Sequence, residues 1–173
     1  MQELQVTQKE SVKKEIEISG IIKALTSTAS IVHFDIDGTI IKLNLSDNLS
    51  SRFYTPEMVG RNHREYAVES VESPKEYNDF WEDLRNGKSK KRILHVDEID
   101  DERWLYETYS PILNKEKKVY KVICIQQNIT DTKHKEIEME SRISLLERQE
   151  KELRDKLHKM TLAFNEISGK SKE

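Results

Sequence analysis

Met139, Leu146, Leu153, Met160 and Ile167 stand seven residues apart, with Ile143, Glu150, Leu157 and Phe164 between them at alternating steps of four and three. Only a helix brings such positions into line, and the line is a narrow apolar seam on an otherwise charged surface. A small domain cannot cover a seam that long, but a second copy of the same helix can. The spacing therefore predicts a C-terminal helix over 133–173, paired in a parallel homodimeric coiled coil. Glu150 is its one polar layer, locally weaker and suited to setting register.

The composition leaves room for little else. With 35% charged and 35% hydrophobic residues among 173, the chain supports one small core. Its 29 basic and 32 acidic residues nearly cancel, so the electrostatic footprint of a nucleic-acid binder is missing and no such partner is expected. The basic cluster Lys88 to Arg92 reads as a solvated loop rim. Cys124 is the only cysteine and lies in an apolar run, which excludes an internal disulfide and suits an inert buried thiol in a reducing compartment. No apolar run approaches the roughly 18 residues of a membrane span, and the polar N-terminus is unlike a signal peptide. A soluble, cytoplasmic chain without membrane contact is expected.

Three parts follow in order: a linker helix over 1–27, a domain over 28–132 and the coil over 133–173. Leu4, Val12, Ile16, Ile18, Ile22 and Leu25 form an irregular apolar stripe at helical spacing, with an interruption or kink expected near Gly20. Ile31 to Phe34 and Thr39 to Leu43 read as strands joined by a two-residue turn at Asp37-Gly38. A Ser/Asn-rich stretch over 44–51 and short helical turns up to about Val71 come next. Ser73-Pro74 has the form of an N-cap with proline at the first helical position. Tyr77, Phe80, Trp81 and Leu84 then recur at helical spacing until Gly87. Ile93 to Ile99, Trp104 to Ile112 and Val119 to Ile129 are rich in β-branched and aromatic residues and read as three further strands. The fold class is α+β, with a five-stranded antiparallel sheet.

Five stretches in this order resemble a PAS domain with its C-terminal PAC portion: Phe34 to Ile40, Val59 to Arg64, Phe80 to Gly87, Trp104 to Ile112, and Asn128-Ile129-Thr130 before a helix. The chain looks most like the PAS modules that precede histidine kinase or chemotaxis receptor regions in bacteria. The resemblance covers about Thr28 to Lys133 and implies a sheet cupping a ligand or an apolar core, with short helices on one face. The family usually ends its last strand in Asp-Ile-Thr; Asn128 here keeps the acceptor oxygen without the charge, which Asp131 could supply. Asn128, Thr130 and Asp131 are the implied coupling residues between sheet and helix.

The same resemblance implies which side chains line the cup. Phe34, His63, Tyr66, Phe80, Leu84, Leu105, Glu107, Val122, Cys124 and Gln126 are the candidate ligand-pocket residues, with Ile123 and Ile125 on the opposite face. A buried Glu107 without a partner would cost several kcal/mol or become protonated. Either it pairs with His63, Arg64 or a ligand, or the strand direction slips by one residue.

No cofactor is expected. Gly60 to Arg64 resembles the flavin-binding light sensors of the family, and Gln126 falls at their last-strand glutamine, but His63 replaces their reactive cysteine and Leu105 their polar fourth-strand residue. Haem-binding members carry a histidine on the helix matching Ser73 to Arg85, which has none. His33, His95, His134 and His158 lack metal-ligand spacing, so no metal site is expected either. Asp35-x-Asp37-Gly38-Thr39 matches the signature of haloacid dehalogenase-like, Mg-dependent phosphatases. That fold needs a parallel sheet and more chain than lies between the two helices.

The reading is a non-enzymatic sensory and dimerisation module of a bacterial signal-transduction protein. A change in the PAS sheet, driven by an unknown small molecule or a partner, would pass to the coil and to kinase or chemotaxis output domains beyond Glu173. A ligand-free dimerisation spacer is the alternative, and the phosphatase a more remote one.

Overall fold

The computed structural model describes residues 2–46, 54–67, 73–98 and 101–170, with all side chains in those ranges except 2–7, 66–67, 97–98, 101 and 166–170. Helix α1 (Gln2–Thr26) runs unbroken through Gly20, where a kink was expected. One exposed glycine costs a helix about 1 kcal/mol, too little to break it. Strands β1 (Ser30–Phe34) and β2 (Ile40–Asn44) form the first hairpin. A 3-10 turn (Pro56–Met58), the single turn α2 (Arg64–Ala67) and α3 (Pro74–Arg85) lead to β3 (Lys90–Glu98), β4 (Asp101–Leu113) and β5 (Val119–Asn128). The five strands pair antiparallel in the order β2-β1-β5-β4-β3.

Helix α3 begins as its sequence requires. The Ser73 hydroxyl accepts from the Glu76 N–H at 3.2 Å, and Pro74 occupies the first turn, where its missing N–H costs nothing. Tyr77, Trp81 and Leu84 then share the buried face. They pack with Val32, Phe34, Ile40, Tyr54, Tyr109, Val122 and Cys124 in the main core. Each large apolar side chain buried there contributes about 1.5–3 kcal/mol. Leu105 belongs elsewhere: it packs with Leu94 and Val96 in a second, smaller cluster.

The first hairpin differs from the two-residue turn expected at Asp37-Gly38. Its loop spans 35–39 because the Asp35 carboxylate, placed in the loop and not on a strand, accepts from the Asp37 and Thr39 N–H groups at 2.9 and 2.8 Å. Gly38 closes the loop at φ +86, and a Cβ there would lie 3.0 Å from Trp81 Cζ2.

The chain divides into two compact units, 1–129 and 130–173. The second is the helix α4 (Thr130–Lys170), which starts three residues before the expected position. Asp131 sits in its first turn, where a negative charge is favourable. Met139, Ile143, Leu146, Leu153, Leu157, Met160 and Phe164 are all about half exposed or more, and the Ile167 side chain lies outside the described residues. Glu150 pairs along the helix with Arg154 at 2.6 Å.

Candidate functional site

The basic cluster Lys88 to Arg92 is a solvated rim only in part: Lys88 and Lys91 are exposed, while Lys90 and Arg92 are half-buried. Lys88 and Lys90 both pair with Asp83 at the end of α3, anchoring the start of β3 to that helix. Strand alternation then turns Arg92 to the core face. There it stands opposite Glu107, which is fully buried, and its Nε donates to Glu107 Oε2 at 2.5 Å. The partner of Glu107 is therefore neither His63 nor Arg64. Arg64 is exposed, donating to Asn78 Oδ1 with its guanidinium 4.8 Å from the Tyr77 ring centre.

Both Glu107 oxygens are satisfied. The Tyr109 hydroxyl donates to Oε2 at 2.8 Å and the Gln126 side-chain amide donates to Oε1 at 2.7 Å. Tyr109 and Gln126 lie on the same face as Glu107, two residues along β4 and directly opposite on β5. Removing both charges from water is costly, and this hydrogen bonding is what allows the pair to persist. Burial opposes the Arg92 charge, but Tyr109 and Glu107 outweigh it and hold the guanidinium above its usual pKa. Burial pushes the Tyr109 hydroxyl and the Cys124 thiol well up, so both stay protonated.

His63 completes the cluster. The segment before it bridges Asn62 to Thr39, and the His63 N–H donates to Gly38 O at 2.8 Å, fixing the backbone beside the first hairpin. Its ring is buried, with Nδ1 3.1 Å from the Tyr77 hydroxyl and Nε2 3.1 Å from the Tyr109 hydroxyl and 3.2 Å from Arg92 Nη2. Tyr109 spends its only proton on Glu107, and Arg92 Nη2 carries two. We therefore assign Nε2 as an acceptor from Arg92, with the ring proton on Nδ1 facing Tyr77. Burial, and then Arg92, lower the pKa of His63 from 6.5 to about 3, so the ring is neutral at physiological pH.

The candidate pocket residues Phe34, His63, Leu84, Glu107, Val122, Cys124 and Gln126 are all buried in this region, with Phe80 half-buried beside them. Leu105 lies with the second cluster, and the Tyr66 side chain lies outside the described residues. Ile123 and Ile125 are half-buried on the opposite face. Sequence reasoning missed Arg92, Tyr77, Trp81 and Tyr109. Tyr109 could have been found by alternation from Glu107. Arg92 could have been found by counting back along the hairpin in which Glu98 meets Asp101. Asn128 is exposed at the end of β5, and Thr130 begins α4.

The phosphatase signature Asp35-x-Asp37-Gly38-Thr39 forms the first hairpin loop, and the antiparallel sheet is not the parallel one such an enzyme needs. Among the described residues no group of three or more His, Cys, Asp or Glu side chains is placed to hold a metal ion. No helix among them is long and apolar enough to cross a membrane.

A five-stranded antiparallel sheet in this strand order, with short helices between β2 and β3 and a helix at each end, is the PAS fold. Two solved structures share this fold. An RNA-binding light-oxygen-voltage receptor superposes with a TM-score of 0.56 at 22% identity, covering 76% of this chain and 38% of that one. A light-oxygen-voltage domain studied with a flavin analogue gives 0.50 at 19% identity, covering 72% and 96%. In sequence, 121 residues are 28% identical to the biofilm dispersion protein BdlA of Pseudomonas aeruginosa, which is 69% of this chain. The chain spans 29% of the length of that relative. No protein-family model matches.

Proposed function

We propose that the chain is a non-enzymatic sensory module in which a rearrangement at the Arg92–Glu107 cluster biases the pairing of α4 with a second copy. One observation carries the reading: Gln126, which donates to the buried Glu107, lies on the strand that runs into α4 four residues later. A ligand or partner that altered the Glu107 bonds would act on β5, and the resulting shift could be no larger than its difference in affinity for the two arrangements. The likeness to a light-oxygen-voltage receptor and to a biofilm dispersion protein supports a signalling role. The half-exposed seam of α4 supports a parallel coil with a second copy.

The test pairs a Leu153→Cys disulfide-trapping variant with Glu107→Gln. Leu153 is expected to cross-link to its own copy, and Glu107→Gln is expected to change the cross-linking rate several-fold. Equal rates in the two backgrounds would remove the transmission reading.

A second reading, a ligand-free dimerisation spacer, is favoured by the aromatic side chains that surround His63 in the interior. Native mass spectrometry separates the two: a retained small molecule supports sensing, and a bare dimer supports the spacer.

A further inference from the structure

The interior of the PAS sheet holds an aromatic ring that is attached to the chain but is bound as a ligand would be. His63 meets Phe34, Trp81 and Tyr109 edge-on, with centroids 5.4, 5.5 and 5.7 Å away, and lies nearly parallel to Tyr77 and Phe80 at 5.7 and 6.4 Å. Rings at these distances favour a flat aromatic occupant. Both nitrogens have assigned partners, an acceptor at Tyr77 and a donor at Arg92.

The electrostatics narrow the chemistry further. Arg92 and Glu107 cancel, so an added anion finds no free positive charge to satisfy it. An added cation would meet the Arg92 guanidinium 3.2 Å from the nitrogen it replaces. A neutral ring avoids both costs.

The backbone of His63 is fixed by its bond to Gly38, while its side chain enters the cluster from a loop followed by a single helical turn. We propose that the His63 side chain is an intramolecular ligand of the cup, and that the small molecules able to replace it are neutral, planar nitrogen heterocycles. Such a ring gives one nitrogen lone pair to Arg92 and one N–H to Tyr77. The inference rests on the cup being the sensing site.

The test is chemical rescue of His63→Gly in the full chain at about pH 8.5, where free imidazole is mostly neutral. Removing the ring leaves a cavity with the same walls, and a ligand that binds only the folded state raises the melting temperature. Millimolar imidazole is expected to raise it by at least about 4 °C, and N-methylimidazole and benzene by less than half as much. Adding Arg92→Met should narrow the difference between imidazole and benzene, leaving only the bond to Tyr77. Equal rescue by benzene, or none by imidazole, overturns the proposal.

If His63→Gly does not fold, nitrogen-15 spectra of the histidine rings in the intact chain decide. The proposal requires His63 to stay neutral with its proton on Nδ1, whereas a ring titrating near 6.5 overturns it. Rescue without any change in α4 cross-linking would keep this inference and remove the sensory reading; coupling without rescue would do the reverse.

Discussion

Arg92 and Glu107 face each other across β3 and β4, joined at 2.5 Å on the core face of the sheet. Glu107 is fully buried, so removing either partner leaves a charge or a set of donors without compensation. Glu107→Ala is expected to cost about 3–5 kcal/mol in urea unfolding. The double variant Arg92→Met/Glu107→Leu should lose clearly less than Glu107→Ala alone, because it removes both desolvated charges together. A double variant as unstable as the single one would show that the pair itself, and not the orphaned charge, carries the stability.

Acid should weaken the fold through His63. Its folded pKa of about 3 lies below the usual 6.5, so the unfolded chain binds the proton first. Stability is therefore full above about pH 6.5 and falls as the pH drops toward 3, at up to about 1.4 kcal/mol per pH unit. His33, lowered by burial and then by Lys121 and Lys42, acts in the same direction. Denaturant titrations between pH 7 and 4 should show a shallower slope in His63→Gln than in the parent. Identical slopes would mean that His63 is not held neutral.

Gly38 is required where it stands. Its φ of +86 strains an L residue, and a Cβ would approach the Trp81 ring at 3.0 Å. Gly38→Ala is expected to cost about 1–3 kcal/mol and to disturb the His63 backbone, which bonds to Gly38 O. Gly60→Ala has no neighbour within 4 Å and carries only the φ strain, so thermal melts should rank it milder.

Glu150 occupies a seam position on α4, and in a parallel pair two such carboxylates would meet. Glu150→Leu is expected to tighten the dimer by at least about tenfold, or about 1.4 kcal/mol, in sedimentation equilibrium. No change in association would rule out the proposed register.

The elements were legible where one local signal decided them. Ser73-Pro74 marks the start of α3 because capping needs only neighbours along the chain, and the apolar periods of α3 and α4 are helical in any context. Alternation puts Val122, Cys124 and Gln126 on one face of β5, and the family resemblance implied that this face is the inward one. Local signals misled where a side chain found a distant or unexpected partner. Asp35 lengthened the first hairpin by bonding its own backbone, and Lys90 left the expected rim for a strand end facing Asp83.

The sequence by itself determined the α+β class, the order of helices and strands, and the seam along α4, because periodicity and capping are properties of neighbouring residues. Only the tertiary structure decided that Arg92 meets Glu107 and that His63 stands neutral among aromatic rings. Those relations join residues fourteen or more positions apart through strand pairing and a loop crossing, and pairing depends on register that no local pattern encodes. The charge of Arg92 looked like surface in the chain; opposite Glu107 it became part of the core.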